Sequence, residues 1–308
     1  MNDTLLPQRA LRTVTRTAVA SALLLLATGC ASTGSGESSP ERVIAVTASG
    51  QILEFVAGRP ERILARRPLI GIQNGESIVG MDFRPSDGRL YAVGNSGQLY
   101  IVNLSTGIVE GVGRGGFRTL ASGDLGIDFN PTVDRIRMVN GRGGNLRLHP
   151  DTGAVIDTDE KSEGVQVDGE LAYAQGDANA GRTPRVAAAA YTNSQAGATS
   201  STNYAIDAAN GTLVSQGSAA GAATAVSPNT GQLFTVGSLG VNLGEGPVTF
   251  DIGPGNVAFM TATTPGGRSE LYRINLINGA ASRIGPVGNG DTINAMAIVP
   301  VAGRTSQR

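Results

Sequence analysis

An all-β fold is predicted for this chain: a five-bladed β-propeller closed by pairing of its N- and C-terminal strands. Three observations carry that reading. The first is a hairpin that returns four times. Leu99-Tyr100-Ile101-Val102 runs into Asn103 and Gly107, and Leu146-Arg147-Leu148 into His149 and Gly153. Tyr204-Ala205-Ile206 runs into Asp207 and Gly211, and Leu271-Tyr272-Arg273-Ile274 into Asn275 and Gly279. Asn or Asp bonds back to the turn backbone, and Gly takes the positive φ that side chains resist. The second is a strand, proline turn, strand motif, seen as Gly80-Met81-Asp82-Phe83 before Pro85 and Gly126-Ile127-Asp128-Phe129 before Pro131. The third is a set of unmatched strand-like segments at the two ends. Recurrence at tens of residues is the mark of a repeat architecture.

The elements follow in order. Val43–Val46, Gln51–Val56 and Arg62–Leu64 read as the second to fourth strands of a unit whose first strand is Ile293–Ile298, at the other end of the chain. Closing a ring in this way removes the exposed sheet edge. Unit two spans about 77–113 and unit three about 123–160. Unit four opens at Leu171-Ala172-Tyr173-Ala174, continues with Val186–Tyr191 and has its hairpin at Asp207–Gly211. Unit five opens at Val248-Thr249-Phe250-Asp251 and ends near Gly288. Equivalent opening positions are then 82, 128, 173, 251 and 296, with spacings of 46, 45, 78 and 45. The wide gap holds Ala225–Val236, which imitates the proline turn, so six blades is the alternative. Only 26 residues separate 225 from 251. That is too few for four strands and favours five blades with an elaborated fourth. A pair of β-sandwiches is the competing all-β arrangement.

Composition agrees. Of 308 residues, 44 are Gly, none is Trp and 4% are aromatic, which suits many short strands and turns better than helices. The formal net charge is −1, so no field draws in nucleic acid. Cys30 is the only cysteine, so the fold uses no internal disulfide.

The N-terminus reads as an address. Arg9, Arg12 and Arg16 precede an apolar run from Ala18 to Ala27, shorter than the ~20 residues a bilayer span needs. The run closes on Ala27-Thr28-Gly29-Cys30, which resembles a bacterial lipobox, with Ala27 where Leu is usual. The resemblance implies cleavage before Cys30, thioether lipidation of Cys30 and acylation of the new N-terminus. The expected organisation is a lipoprotein signal peptide at 1–29, a flexible tether at 30–42, the propeller at 43–300 and a disordered tail at 301–308. Ala31, in place of Asp, favours the outer membrane, facing the periplasm. An ordinary signal peptide with a bystander cysteine is the simpler alternative.

Two long blocks carry a wider resemblance. One is Leu171-Ala172-Tyr173-Ala174-Gln175-Gly176-Asp177-Ala178-Asn179-Ala180-Gly181, followed by Ala188–Ser194. The other is Gly126–Arg137, followed by Asn145-Leu146-Arg147-Leu148. They resemble a bacterial domain-of-unknown-function family, number 4394, of secreted propeller-like proteins, over about residues 43–299. The resemblance implies an exported bacterial protein and no particular activity.

Candidate chemistry is sparse. His149, the only histidine, stands where the other hairpins have Asn or Asp, so a turn role outweighs a role as base or metal ligand. Asp82, Asp128 and Asp251 each sit in an opening strand, which in a propeller lines the central channel. Three carboxylates near one axis could hold a hard cation such as Ca²⁺. The alternative is that each accepts backbone N–H groups or pairs with Arg135, Arg137 or Arg147, because unpaired burial is costly. Tyr173 and Met296 occupy the same place in the other units. Asp177 and Asn179, in the loop Gly176–Gly181, offer oxygens that resemble half a calcium loop; a structured turn competes. Gly111–Gly116 joins two β units and opens no helix, so it lacks phosphate-binding geometry.

Two functions follow as expectations. The first is a monomeric, membrane-anchored lipoprotein whose propeller binds a protein or small molecule without catalysis and without a required cofactor. The second is a cation-dependent, lactonase-like propeller hydrolase built on Asp82, Asp128 and Asp251.

Overall fold

A computed structural model describes residues 41–113 and 124–300. The signal segment, Cys30, nearly all of the tether and the tail 301–308 lie outside the described residues.

The hairpins are set by turn chemistry. Asn103 Oδ1 accepts the Ser105 N–H at 3.0 Å, Asp207 Oδ1 that of Ala209 at 2.9 Å, and Asn275 Oδ1 that of Ile277 at 2.9 Å. His149 Nδ1 accepts the Asp151 N–H at 3.2 Å, so the histidine fills the turn position as its place in the repeat predicts. The glycine that follows takes φ near +80° at Gly107 and Gly279, where a side chain would be strained. A Cβ at Gly107 would also lie 2.3 Å from the Pro68 carbonyl oxygen, so that turn packs directly on blade one.

The strands form five sheets. Blade one takes β1 (Arg42–Thr47), β2 (Gln51–Val56) and β3 (Arg59–Pro68). Blade two takes β4 (Ile78–Phe83), β5 (Leu90–Gly94), β6 (Leu99–Val102) and β7 (Val109–Val112). Blade three takes β8 (Leu125–Asn130), β9 (Arg135–Asn140) and β10 (Asn145–Leu148). Blade four holds β11 (Ala172–Tyr173), β12 (Val186–Tyr191), β13 (Asn203–Asp207), β14 (Thr212–Gln216) and β15 (Gln232–Ser238). Blade five is β16 (Val248–Gly253), β17 (Val257–Thr263), β18 (Ser269–Ile274) and β19 (Ala281–Pro286). The last strand, β20 (Ile293–Ile298), returns to blade one beside β1. Its register pairs Val43 with Ile298, Ile44 with Ala297, Ala45 with Met296 and Val46 with Ala295. The ring is therefore closed by the two chain ends, as the unmatched terminal strands predict.

The number of blades is five, and the segment that suggested a sixth is β15. It lies antiparallel to β14 and makes blade four five-stranded. The expected start of unit four is corrected. Its inner strand is β12, whereas Tyr173 lies in β11 at the opposite edge, parallel to β15. The Tyr173 hydroxyl bonds the Asp207 carboxylate there, which holds the short strand against the hairpin. The physical reason is pairing: β12 is long enough to pair with β13 along its length and to pack against β8 and β16, whereas β11 is two residues long and pairs only with β15. Blade three falls short of four strands. Its fourth position is only a bridge between Leu148 and Val155.

The inner strands β20, β4, β8, β12 and β16 pack side by side around the axis. Each alternates its side chains between two neighbouring blades. On β20, Ala295 and Ala297 pack with Met81 and Phe83 of blade two, while Met296 and Ile298 pack with Phe259 and Leu271 of blade five. The apolar core is thus divided among the blade interfaces, and the inner strands are apolar on both faces.

Candidate axial site

Three inner strands carry an aspartate, and the fold brings the three together. One carboxylate oxygen from each of Asp82, Asp128 and Asp251 lies within 4.8 Å of the others. The side chains are 3%, 2% and 4% exposed, which removes bulk water as a partner.

Backbone N–H groups supply most of what water would have. Asp82 Oδ1 accepts its neighbour Phe83 N–H at 2.6 Å, and Oδ2 accepts Phe129 N–H of the next blade at 2.8 Å. Asp251 repeats the arrangement, with Ile252 at 2.6 Å and Ile298 of blade one at 2.5 Å. For Asp128 the Tyr191 backbone of blade four acts to lower the carboxyl. Its Oδ1 is buried and has no hydrogen-bond partner. Asp82 and Asp251 therefore each brace their own inner strand to the next one. The same bonds define equivalence around the ring. The donors follow Asp128, Ala190 and Ala297, so Ala190 and Ala297 occupy the positions expected of Tyr173 and Met296.

The arginines proposed as partners are engaged elsewhere. Arg137 and Arg147 both pair with Asp168, at 3.0 and 2.8 Å. Arg135 donates to the Asp134 carbonyl. Among the described residues the three carboxylates consequently face one another without a paired cationic side chain. Burial, then repulsion from Asp251, raises Asp82 well above the usual carboxylate range against its two N–H donors. Burial, then Asp82 and Asp251, does the same to Asp128. Burial pushes Asp251 up to about 6.

Small residues make this convergence feasible. A Cβ at Gly80 would lie 2.2 Å from Ile127 Cγ2, and one at Gly126 would lie 2.6 Å from the Ala189 nitrogen. What remains on the axis is a cavity of about 20 Å³ lined by Met81, Ile127, Phe250, Ala188 and Met296, among others. That volume admits about one water.

Above it, where the inner strands begin, the axis opens into a cup of about 410 Å³ lined by Val79, Asp124, Leu125, Arg185, Glu245 and Asn294, with Gly246–Val248. Arg185 bonds Asp124 at 3.3 Å. Burial raises the Asp124 carboxyl, Arg185 opposes it, and Glu245 adds to it. Sequence reading missed this group. Asp124 and Arg185 immediately precede β8 and β12, so recognising Val186–Tyr191 as an inner strand would have placed Arg185 at the axis.

The loop from Gly176 to Gly181 does not join the axial group. Asp177 accepts the Thr235 N–H at 2.7 Å and the Thr235 hydroxyl at 2.6 Å, and Asn179 Nδ2 donates to the same hydroxyl at 2.9 Å. Burial works to raise Asp177, but these donors outweigh it and hold the carboxyl below its usual range. Asp177 and Asn179 spend their polar atoms pinning β15, which is the structured-turn alternative.

Comparison with known proteins adds a family. The model of the domain of unknown function DUF4394 matches residues 51–297. The chain belongs to this family. The match takes in strands of all five blades and all three axial aspartates. No curated protein matches the chain. Among solved structures, the crystal structure of a nidogen/laminin complex is 12% identical with a TM-score of 0.46, covering 85% of this chain and 98% of that one. A protein of unknown function from Bacteroides thetaiotaomicron is 13% identical with a TM-score of 0.45, covering 86% of this chain and 68% of that one.

Proposed function

We propose that this β-propeller is carried by a lipid-anchored protein of the bacterial cell envelope, and that it binds a small polar molecule at the mouth of its axis without transforming it. The anchor reading is supported by the arginine-led apolar segment that ends at Cys30. One observation carries the binding reading: the cup of about 410 Å³ at the start of the inner strands, where Asp124, Arg185, Glu245 and Asn294 present both signs of charge and an amide. Concave sites with a few convergent polar groups are where small ligands bind. The mixed charge suits a zwitterionic or amino-bearing molecule. Catalysis by the deeper aspartates would need a substrate to reach carboxylates that are at most 4% exposed. Their burial favours binding over hydrolysis.

Two measurements test the reading. In a bacterial host the wild-type chain is expected in the membrane fraction, resistant to salt and released by detergent, whereas Cys30→Ser is expected in the soluble fraction. Retention of the variant on membranes refutes the anchor. For binding, the full-length Cys30→Ser protein is screened by thermal shift against amino acids, amino sugars and neutral sugars. At least one amino-bearing compound is expected to raise Tm by several degrees, and Arg185→Ala is expected to abolish that rise. A shift that survives Arg185→Ala moves the site elsewhere, and turnover of the bound compound makes the protein an enzyme.

A further inference from the structure

Beyond the cup, the geometry points to a metal site. We propose that Asp82, Asp128 and Asp251 together bind one hard divalent cation of the calcium class, which ties blades two, three and five at the axis.

The donor set is the first argument. Three carboxylates from three different inner strands each bring an oxygen within 4.8 Å of the others. Calcium–oxygen distances are ~2.3–2.6 Å, so oxygens on opposite sides of one ion stand up to ~5 Å apart. The spacing is that of a shared ligand sphere.

The second argument is the unpartnered oxygen. Asp128 Oδ1 is buried without a donor, on the one carboxylate of the three that lacks a second N–H bond. A buried acceptor left unmet is costly, and an anionic one more so. A cation at the meeting point of the three side chains meets that oxygen and the mutual repulsion together.

The third is charge. Among the described residues no basic side chain pairs with the group, and Arg137 and Arg147 are held by Asp168. The backbone donors from Phe83, Phe129, Ile252 and Ile298 work against the effect of burial on Asp82 and Asp251, and a cation adds to them in favour of the anionic form a metal needs. The role is structural, because the ion is enclosed by the inner strands.

The test uses the full-length Cys30→Ser chain stripped with EDTA and dialysed at pH 7.5. Calcium chloride is then added, and bound metal and Tm are measured, with magnesium chloride as the comparison. One calcium per chain is expected, with a Tm rise of about 5–10 °C at a hundredfold excess over the dissociation constant. Magnesium is expected to give a smaller rise, because it demands near-ideal octahedral geometry. Asp128→Asn is expected to lose the calcium-dependent rise. Absence of bound calcium and of any shift in the wild type overturns the proposal and leaves a proton-sharing cluster in its place. So does a calcium-dependent rise that Asp128→Asn retains. The wild-type arm decides even if the variant fails to fold. None of these readings depends on the cup, so they fail or hold separately from ligand binding.

Discussion

A chain ended after Asp291, lacking β20, is expected not to reach a soluble folded monomer. The strand is short, but Ile293, Ala295, Met296, Ala297 and Ile298 are each at most 3% exposed. They divide between two blade interfaces, so both lose part of their core at once. Three large apolar side chains at ~1.5–3 kcal/mol each come to about 5–9 kcal/mol, the scale of a whole domain's stability. The loss also bares the backbone of β1, from Val43 to Thr47, and an unpaired edge of that kind templates aggregation. Asp251 loses the Ile298 N–H as well. Size-exclusion chromatography and a thermal melt decide the matter. A monomeric product with a cooperative transition near that of the full chain would show that the ring does not need its seam.

Asp168→Ala is expected to cost about 3–5 kcal/mol, which lowers Tm by about 6–20 °C. Asp168 is the shared anion of Arg137 and Arg147, and its side chain is 1% exposed. Arg137, itself 2% exposed, also donates to the Tyr191 hydroxyl at 2.7 Å and to Asn145 and Asn229. This one guanidinium therefore joins blade three to blade four and to the segment before β15. Removing Asp168 leaves it charged, buried and short of the one carboxylate that pairs with it among the described residues. Arg147, 20% exposed, can turn toward solvent and is not the source of the loss. Chemical denaturation of wild type and variant measures the difference. A change below 1 kcal/mol would show that the neutral partners suffice to hold the arginine.

Much of the ring was legible before any coordinates. Turn chemistry is local, so Asn103, Asp207 and Asn275 announced their hairpins, and His149 could be assigned by its place among them. Closure was legible because strand-like segments at both ends lacked partners. The inner strand of blade four was not. Ala187–Ala190 has weak strand character, and its place is set by pairing with β13 and packing between β8 and β16. The register of β20 slipped by one, Met296 for Ala297, because a strand buried on both faces shows no apolar–polar alternation to fix it. Asp82, Asp128 and Asp251 were legible as axial carboxylates, but their backbone donors come from adjacent blades and follow no sequence spacing. Asp124 and Arg185 were missed because they belong to loops, and the strand boundaries that aim them at the axis were themselves misplaced.

The closing seam also orders events in time. In β20 the chain emerges from the ribosome with its innermost strand of blade one last, some 250 residues after the partner it must find. Until then β1 waits with one side open, and no complete toroid exists to trap the polypeptide in a compact form. Long-range pairing of this kind is slow to form. A protein built this way cannot shut its ring before that late strand has been made.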